Sequence, residues 1–230
     1  MGACDQLPLD FETRSLQGRS DFIVTPVTEA AVALIDSWPD WPATAVAIYG
    51  PAGSGKSHLA AIWRERSGAT NLDLTNLEST INHLQNCPAG EIHNHNMVLE
   101  LVDDLAASPV RQQGVFHLLN TIREQQAYLL MISRQAPSRF DVALPDLRSR
   151  LRAIPAVEIP APDDELLHGL LIKMFRDRQL SVSNEVIDYI VPRMERSFQG
   201  AQSLVDLLDR LALAEKRAIT VPFVRSVMDL

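Results

Sequence analysis

From about residue 21 onward the apolar positions follow two alternating rhythms. Thr28 to Ser37 carries alanine, valine and leucine at helical spacing, Ala45 to Tyr49 is a short apolar run stopped by glycine, and Lys56 to Arg66 returns to helical spacing. Asn71 to Leu74 reads as a weak strand, Met97 to Val102 as a stronger one, Val110 to Gln125 as a helix and Tyr128 to Ile132 as a buried strand. Short apolar strands separated by helices predict βαβ units, hence an α/β architecture whose parallel sheet is covered on both faces. Glu100 breaks the apolar run of its strand, and two-sided burial offers no reason for it.

The rhythm changes after Ile159-Pro160-Ala161-Pro162. Beyond it only helical segments appear, Asp163 to Arg178, Asn184 to Arg196, Ala201 to Leu213 and Pro222 to Met228. Ser183 and Thr220 stand where caps would start two of them. Leu166, Leu170, Leu171 and Phe175 form an apolar stripe suited to core packing. The expected organisation is a loosely ordered leader over 1–20, an α/β domain over 21–160 and a small all-α domain over 161–230.

Composition narrows the function. No run reaches the ~18 to 20 apolar residues of a membrane-spanning helix, and the N-terminus lacks the profile of a secretory signal. Two cysteines, Cys4 and Cys87, cannot build a disulfide framework, so a cytoplasmic protein is expected. With 21 basic against 29 acidic residues the net charge is −8, which disfavours a general nucleic-acid surface. Lysine is scarce among the bases, occurring only as Lys56, Lys173 and Lys216, so the setting of Lys56 is informative.

That setting is Gly50-Pro51-Ala52-Gly53-Ser54-Gly55-Lys56-Ser57, which satisfies G-x-x-x-x-G-K-S/T between an apolar strand and a helix start. In such a loop backbone N–H groups turn inward around a β-phosphate, the helix N-terminus adds its positive end, the lysine reaches the β- and γ-phosphates and the serine offers its hydroxyl to Mg²⁺. ATP or ADP with Mg²⁺ is therefore the expected cofactor. A magnesium-binding acid should close a neighbouring strand, and Asp103 fits, with Asp104 placed to polarise water. Two aspartates ending a strand also suit a helix N-cap and its first turn. Ser133, at the tip of the strand Tyr128 to Ile132, stands where a γ-phosphate sensor would sit, or where a strand simply meets solvent. His83, Cys87, His93 and His95 lie close in sequence, but their spacing suits a solvated loop better than a closed zinc site.

These residues together resemble the AAA+ ATPases, and within them the DnaA-related clade. Gly50 to Ser57 followed by His58-Leu59-Ala60 is similar to that clade's phosphate loop and helix start, and Val102-Asp103-Asp104-Leu105 to its Walker B element. Leu147-Arg148-Ser149-Arg150-Leu151 resembles the box VII motif, which implies that Arg150 is an arginine finger for a neighbour's nucleotide; a solvated basic turn is the plainer alternative. Arg196-Ser197-Phe198-Gln199-Gly200-Ala201 resembles the segment that opens a lid helix with a nucleotide-sensing arginine, here Arg196, although Phe198 and Gln199 replace the usual leucine and glutamate. Phe22, Ile23 and Val24 match the entry segment on which the base packs, with Thr28 where asparagine is usual.

Within the clade the chain most resembles the Hda family of short DnaA paralogues. That resemblance implies an AAA+ P-loop fold with a five-stranded parallel sheet and a helical lid, and a negative regulator of replication initiation that promotes hydrolysis of DnaA-bound ATP. Gln6-Leu7-Pro8-Leu9-Asp10-Phe11 is similar to the peptide by which bacterial proteins dock on the DNA polymerase III sliding clamp, with Gln6 hydrogen-bonding and Leu7, Leu9 and Phe11 filling apolar pockets. The implied partners are DnaA and the clamp, with no sequence-specific nucleic-acid contact and no membrane; self-association stays open. A length of 230 residues is expected to leave no room for a DnaA-type DNA-binding domain. An autonomous ATPase such as a helicase loader, working through Asp104 and Ser133, and a non-catalytic scaffold on the clamp are the competing readings.

Overall fold

The structure is a computed structural model that describes residues 24, 26–72, 74, 77–86, 96–101, 105 and 108–229. The clamp-type peptide Gln6 to Phe11, Phe22, Ile23, Asp103, Asp104, Cys87, His93 and His95 lie outside the described residues.

Five short strands form one parallel sheet, β1 (Ala45–Tyr49), β2 (Thr70–Leu72), β3 (Met97–Leu101), β4 (Leu129–Ser133) and β5 (Ala156–Glu158), in the order β2-β3-β4-β1-β5. One face carries α1 (Glu29–Asp36) and α2 (Lys56–Ser67), and the other α3 (Leu77–Asn86), α4 (Pro109–Gln125) and α5 (Pro145–Ala153). Alternate strand residues serve the two layers. Val46, Ile48, Val98, Leu130 and Ile132 pack with Leu59 and Trp63 of α2, while Ala47, Leu99, Met131 and their like pack with Leu118 and Ile122 of α4. A strand buried on both faces has no polar side, which is why these runs read as continuously apolar.

The second layer set is a helical unit of α6 (Asp164–Asp177), α7 (Asn184–Ile190), α8 (Phe198–Glu215) and α9 (Val221–Met228), whose core includes Leu171, Phe175, Ile190, Val205, Leu208 and Phe223. The apolar stripe expected from Leu166 to Phe175 is buried there. The parallel sheet and the helical unit are as the residue pattern predicts, and the five strands with a lid are as the family resemblance implies.

Four elements differ from the expectation. α3 and β5 were not anticipated as elements; β5 is three residues long with an exposed-leaning pattern, and only its pairing with β1, Ala47 opposite Ala156 and Tyr49 opposite Glu158, makes it a strand. α7 ends at Ile190 rather than Arg196, and the chain beyond it brings Ser197 and Phe198 against Gly53 of the phosphate loop. α8 starts at Phe198, three residues earlier than expected. Ser183 and Thr220 do occupy N-cap positions, but neither side chain caps; those bonds are made by Asp163 to the Leu166 N–H (2.8 Å) and by Ser197 to the Gly200 N–H (2.8 Å).

Candidate functional site

The phosphate loop rises from the C-terminal end of β1, the strand that lies between β4 and β5, so it sits at a change of direction in strand order where open α/β sheets hold ligands. Gly50 N–H donates to the Ser133 carbonyl at 3.1 Å, fixing the loop's start to β4. A Cβ at Gly50 would collide with the carbonyl of Ile159 beyond β5, so only glycine fits there.

Lys56 opens α2 and is 9% exposed. Its ammonium donates to the carbonyl oxygens of Gly50 at 2.7 Å and Pro51 at 2.6 Å, and approaches Ser54 Oγ at 3.4 Å. Burial lowers its pKa from the usual 10.5; Glu100 pulls it back up, and Arg134 lowers it further. A desolvated cation held at the positive end of a helix is arranged for an anion. The donor set fits the phosphates of a nucleotide, and Ser57 is exposed beside Lys56. Pro51 and Ala52 are exposed, Gly53 and Gly55 half-buried, Ser54 fully buried, and His58 half-buried on α2. Val24 is exposed.

Glu100 finds its reason in the sheet. Glu100 is exposed, whereas Met97, Val98, Leu99 and Leu101 of the same strand are buried. By strand alternation Glu100 shares the α2-facing side with Val98. It lines a cavity of about 300 Å³ with Ser57, Arg64, Asn71, Val98 and Ile132. An acid at an α2-facing position is the available signal, but nothing in the sequence places a cavity beside it.

The other expected site residues take diverse places. Ser133 is buried, and its hydroxyl donates to the Gln135 carbonyl at 2.7 Å; it follows the alternation of Leu129 and Met131, on the face away from α2. Arg150 lies on α5 with its guanidinium 5.1 Å from the centre of the Phe116 ring of α4. Its neighbour Arg148 is bound to the Val142 carbonyl through Nε (3.2 Å) and Nη2 (2.6 Å). Arg196 is paired with Asp164 of α6 at 2.9 Å. The structure thus brings Lys56, Ser57 and the loop together with Glu100, places Ser133 beside the loop through its carbonyl while its hydroxyl is on Gln135, and sets Arg150 and Arg196 on other partners. Among the described residues no cluster of three or more His, Cys, Asp or Glu could hold a metal ion.

Residues 164–228 match the family described as the Hda lid domain. Over 192 residues the chain is 29% identical to an uncharacterized protein of Haemophilus influenzae, spanning 80% of each. It is similar in structure to domain III of the replication initiation protein DnaA of Thermotoga maritima, with a TM-score of 0.72 and 16% identity over 90% of this chain and 93% of that one. AMPPCP-bound DnaA from Aquifex aeolicus gives 0.66 and 20% identity over 82% of this chain and 63% of that one. A RuvB variant of Thermotoga maritima gives 0.69 and 13% over 93% and 71%. At these identities the structural likeness shows the AAA+ fold. Among the described residues no helix is long and apolar enough to cross a membrane.

Proposed function

We propose that this Hda-like relative of DnaA, an AAA+ α/β domain over 21–160 carrying an Hda lid over 161–230, is a cytoplasmic, clamp-dependent negative regulator of replication initiation that promotes hydrolysis of ATP bound to DnaA. The observation that carries the reading is the match of residues 164–228 to the Hda lid. Bound ADP or ATP supplies a polyanion, with Mg²⁺, that joins the loop to the lid. This chain's residues do the holding: the 50–57 backbone and Lys56 bind phosphate, Ser57 with Asp103 takes the metal, His58 and Val24 with Phe22 and Ile23 border the nucleotide, and Arg196 closes over it. Lys56 is held beside the loop by the Gly50 and Pro51 carbonyls, and its long contact with Ser54 Oγ, 3.4 Å, is the one a phosphate would replace.

On this reading Arg150 acts outside its own site. A planar, permanently charged guanidinium stabilises negative charge spreading over a partner's transferring phosphoryl group. Stacked over Phe116, it is held on α5 in a restricted set of orientations. The hydroxyl of Ser133 is spent on Gln135, which favours a regulator over a chain that turns over its own nucleotide through Asp104 and Ser133. Gln6 to Phe11 bring it to the clamp.

The test is reconstitution of DnaA–ATP with DNA-loaded clamp and the full chain. Hydrolysis of DnaA-bound ATP should fall by at least tenfold with Arg150→Ala, and equally when Gln6 and Phe11 are replaced by alanine. Unchanged hydrolysis with Arg150→Ala would overturn the role given to that residue. Rapid ATP turnover by the isolated chain would replace the regulator with an autonomous ATPase.

A further inference from the structure

The lid touches the phosphate loop through main chain. Phe198, the first residue of α8, donates its N–H to the Gly53 carbonyl at 2.8 Å. Ser197, the N-cap, lies on the same spot: a Cβ on Gly53 would collide with Ser197 Cβ and come within 2.9 Å of its Oγ. Gly53 also holds φ +69, so glycine is required both for its backbone hand and for the contact. Ser197 is 1% exposed and its hydroxyl caps α8 through Gly200, so it cannot turn aside without loosening the helix start. Arg196 takes no part; it is more than half exposed and paired with Asp164.

The first N–H groups of a helix have no partner inside it. α8 uses one of these orphan donors to hold a loop carbonyl. Because a trans peptide fixes its C=O and the following N–H in opposite directions, holding Gly53 C=O fixes where the Ser54 N–H points; that N–H makes a long turn bond, 3.4 Å, to the Pro51 carbonyl. Resting on the nucleotide-binding reading above, we propose that Ser197 and Phe198 are positioning residues for the nucleotide: the start of the lid helix holds the Gly53–Ser54 peptide in one orientation, from which the Ser54 N–H exchanges its long bond to the Pro51 carbonyl for a phosphate, linking loop occupancy to lid seating through main chain.

One pair of variants isolates the hydrogen bond. Phe198→Pro deletes the donor at a first helical position, where proline is tolerated, and the extended Ser197 (φ −148, ψ 153) suits a residue preceding proline. Phe198→Ala loses the same ring packing and keeps the donor. In the full chain, Phe198→Pro should bind a fluorescent ADP analogue at least tenfold more weakly than Phe198→Ala. Without nucleotide, its 51–55 amides should exchange hydrogen faster than those of Phe198→Ala. Ser197→Thr, which keeps a capping hydroxyl and adds a methyl group against Gly53, should move both readouts the same way. Equal affinity and equal exchange in the two Phe198 variants would overturn the proposal while leaving nucleotide binding intact. A wild-type chain that binds no ADP would overturn the nucleotide reading and this proposal with it.

Discussion

Arg196 Nη2 lies 2.9 Å from Asp164 Oδ1, tying the turn ahead of α8 to the first turn of α6. Both side chains are more than half exposed, and such pairs are worth about 0.2–1 kcal/mol. If Arg196 is to close over a nucleotide it must give up Asp164. Asp164→Asn should therefore tighten ADP binding by up to about fivefold, the ratio that 1 kcal/mol allows, and Arg196→Ala in the same background should cancel the gain. Equal affinities in Asp164→Asn and wild type would count against Arg196 as a nucleotide ligand.

Lys56 sets a pH dependence with opposite signs for stability and binding. Burial holds its pKa below 10.5 in the folded chain, so the charged form is the costly one there. Its contribution to stability rises as pH climbs from the folded value towards the unfolded one. ADP affinity should do the reverse, falling as the amine loses its proton, with the fall beginning below the ordinary lysine range. Glu100 opposes the depression, so Glu100→Gln should shift the fall to lower pH. ADP titrations across the alkaline range check this; superimposable curves for Glu100→Gln and wild type would sink it.

Gln112, 2% exposed in α4, binds three backbone groups: its amide donates to the Leu105 carbonyl at 3.3 Å, and its Oε1 accepts from Ala143 (2.9 Å) and Leu144 (3.2 Å). Gln112→Leu leaves those groups without their side-chain partner at about 1–3 kcal/mol for each one that stays buried. Urea unfolding should show a loss of at least about 2 kcal/mol, and the N-terminus of α5, the helix whose last turn carries Arg150, should exchange hydrogen faster.

The arginines of α5 should separate in stability assays. Arg148 makes two bonds to the Val142 carbonyl, and its loss should cost about 1.5–3 kcal/mol, as for hydrogen bonds from a charged group. Arg152 is exposed, and Arg152→Ala should stay within about 0.5 kcal/mol of wild type. Equal losses would mean that the Arg148 bond contributes nothing net.

The elements legible in sequence were those with strong local signals. β1 and the phosphate loop were marked by an apolar run, glycines and a rare lysine, and α6 by a stripe of leucines. β5 and α3 were not, since a three-residue strand has no period and takes its identity from Tyr49 and Ala47 beside it. Ser133 was legible as a strand tip; the direction of its hydroxyl, towards Gln135, was not.

The sequence alone determined the chemistry available: a glycine-rich turn before a helix can cradle phosphate whatever surrounds it, because the N–H groups and the lysine belong to one short segment. Tertiary structure decided what those groups face. It set Glu100 on a cavity shared with Ser57 and Arg64, set Arg196 on Asp164, and laid the first N–H of α8 on Gly53, across 145 residues of chain. Contacts of that range depend on how separate elements pack, and no local pattern of residues encodes them.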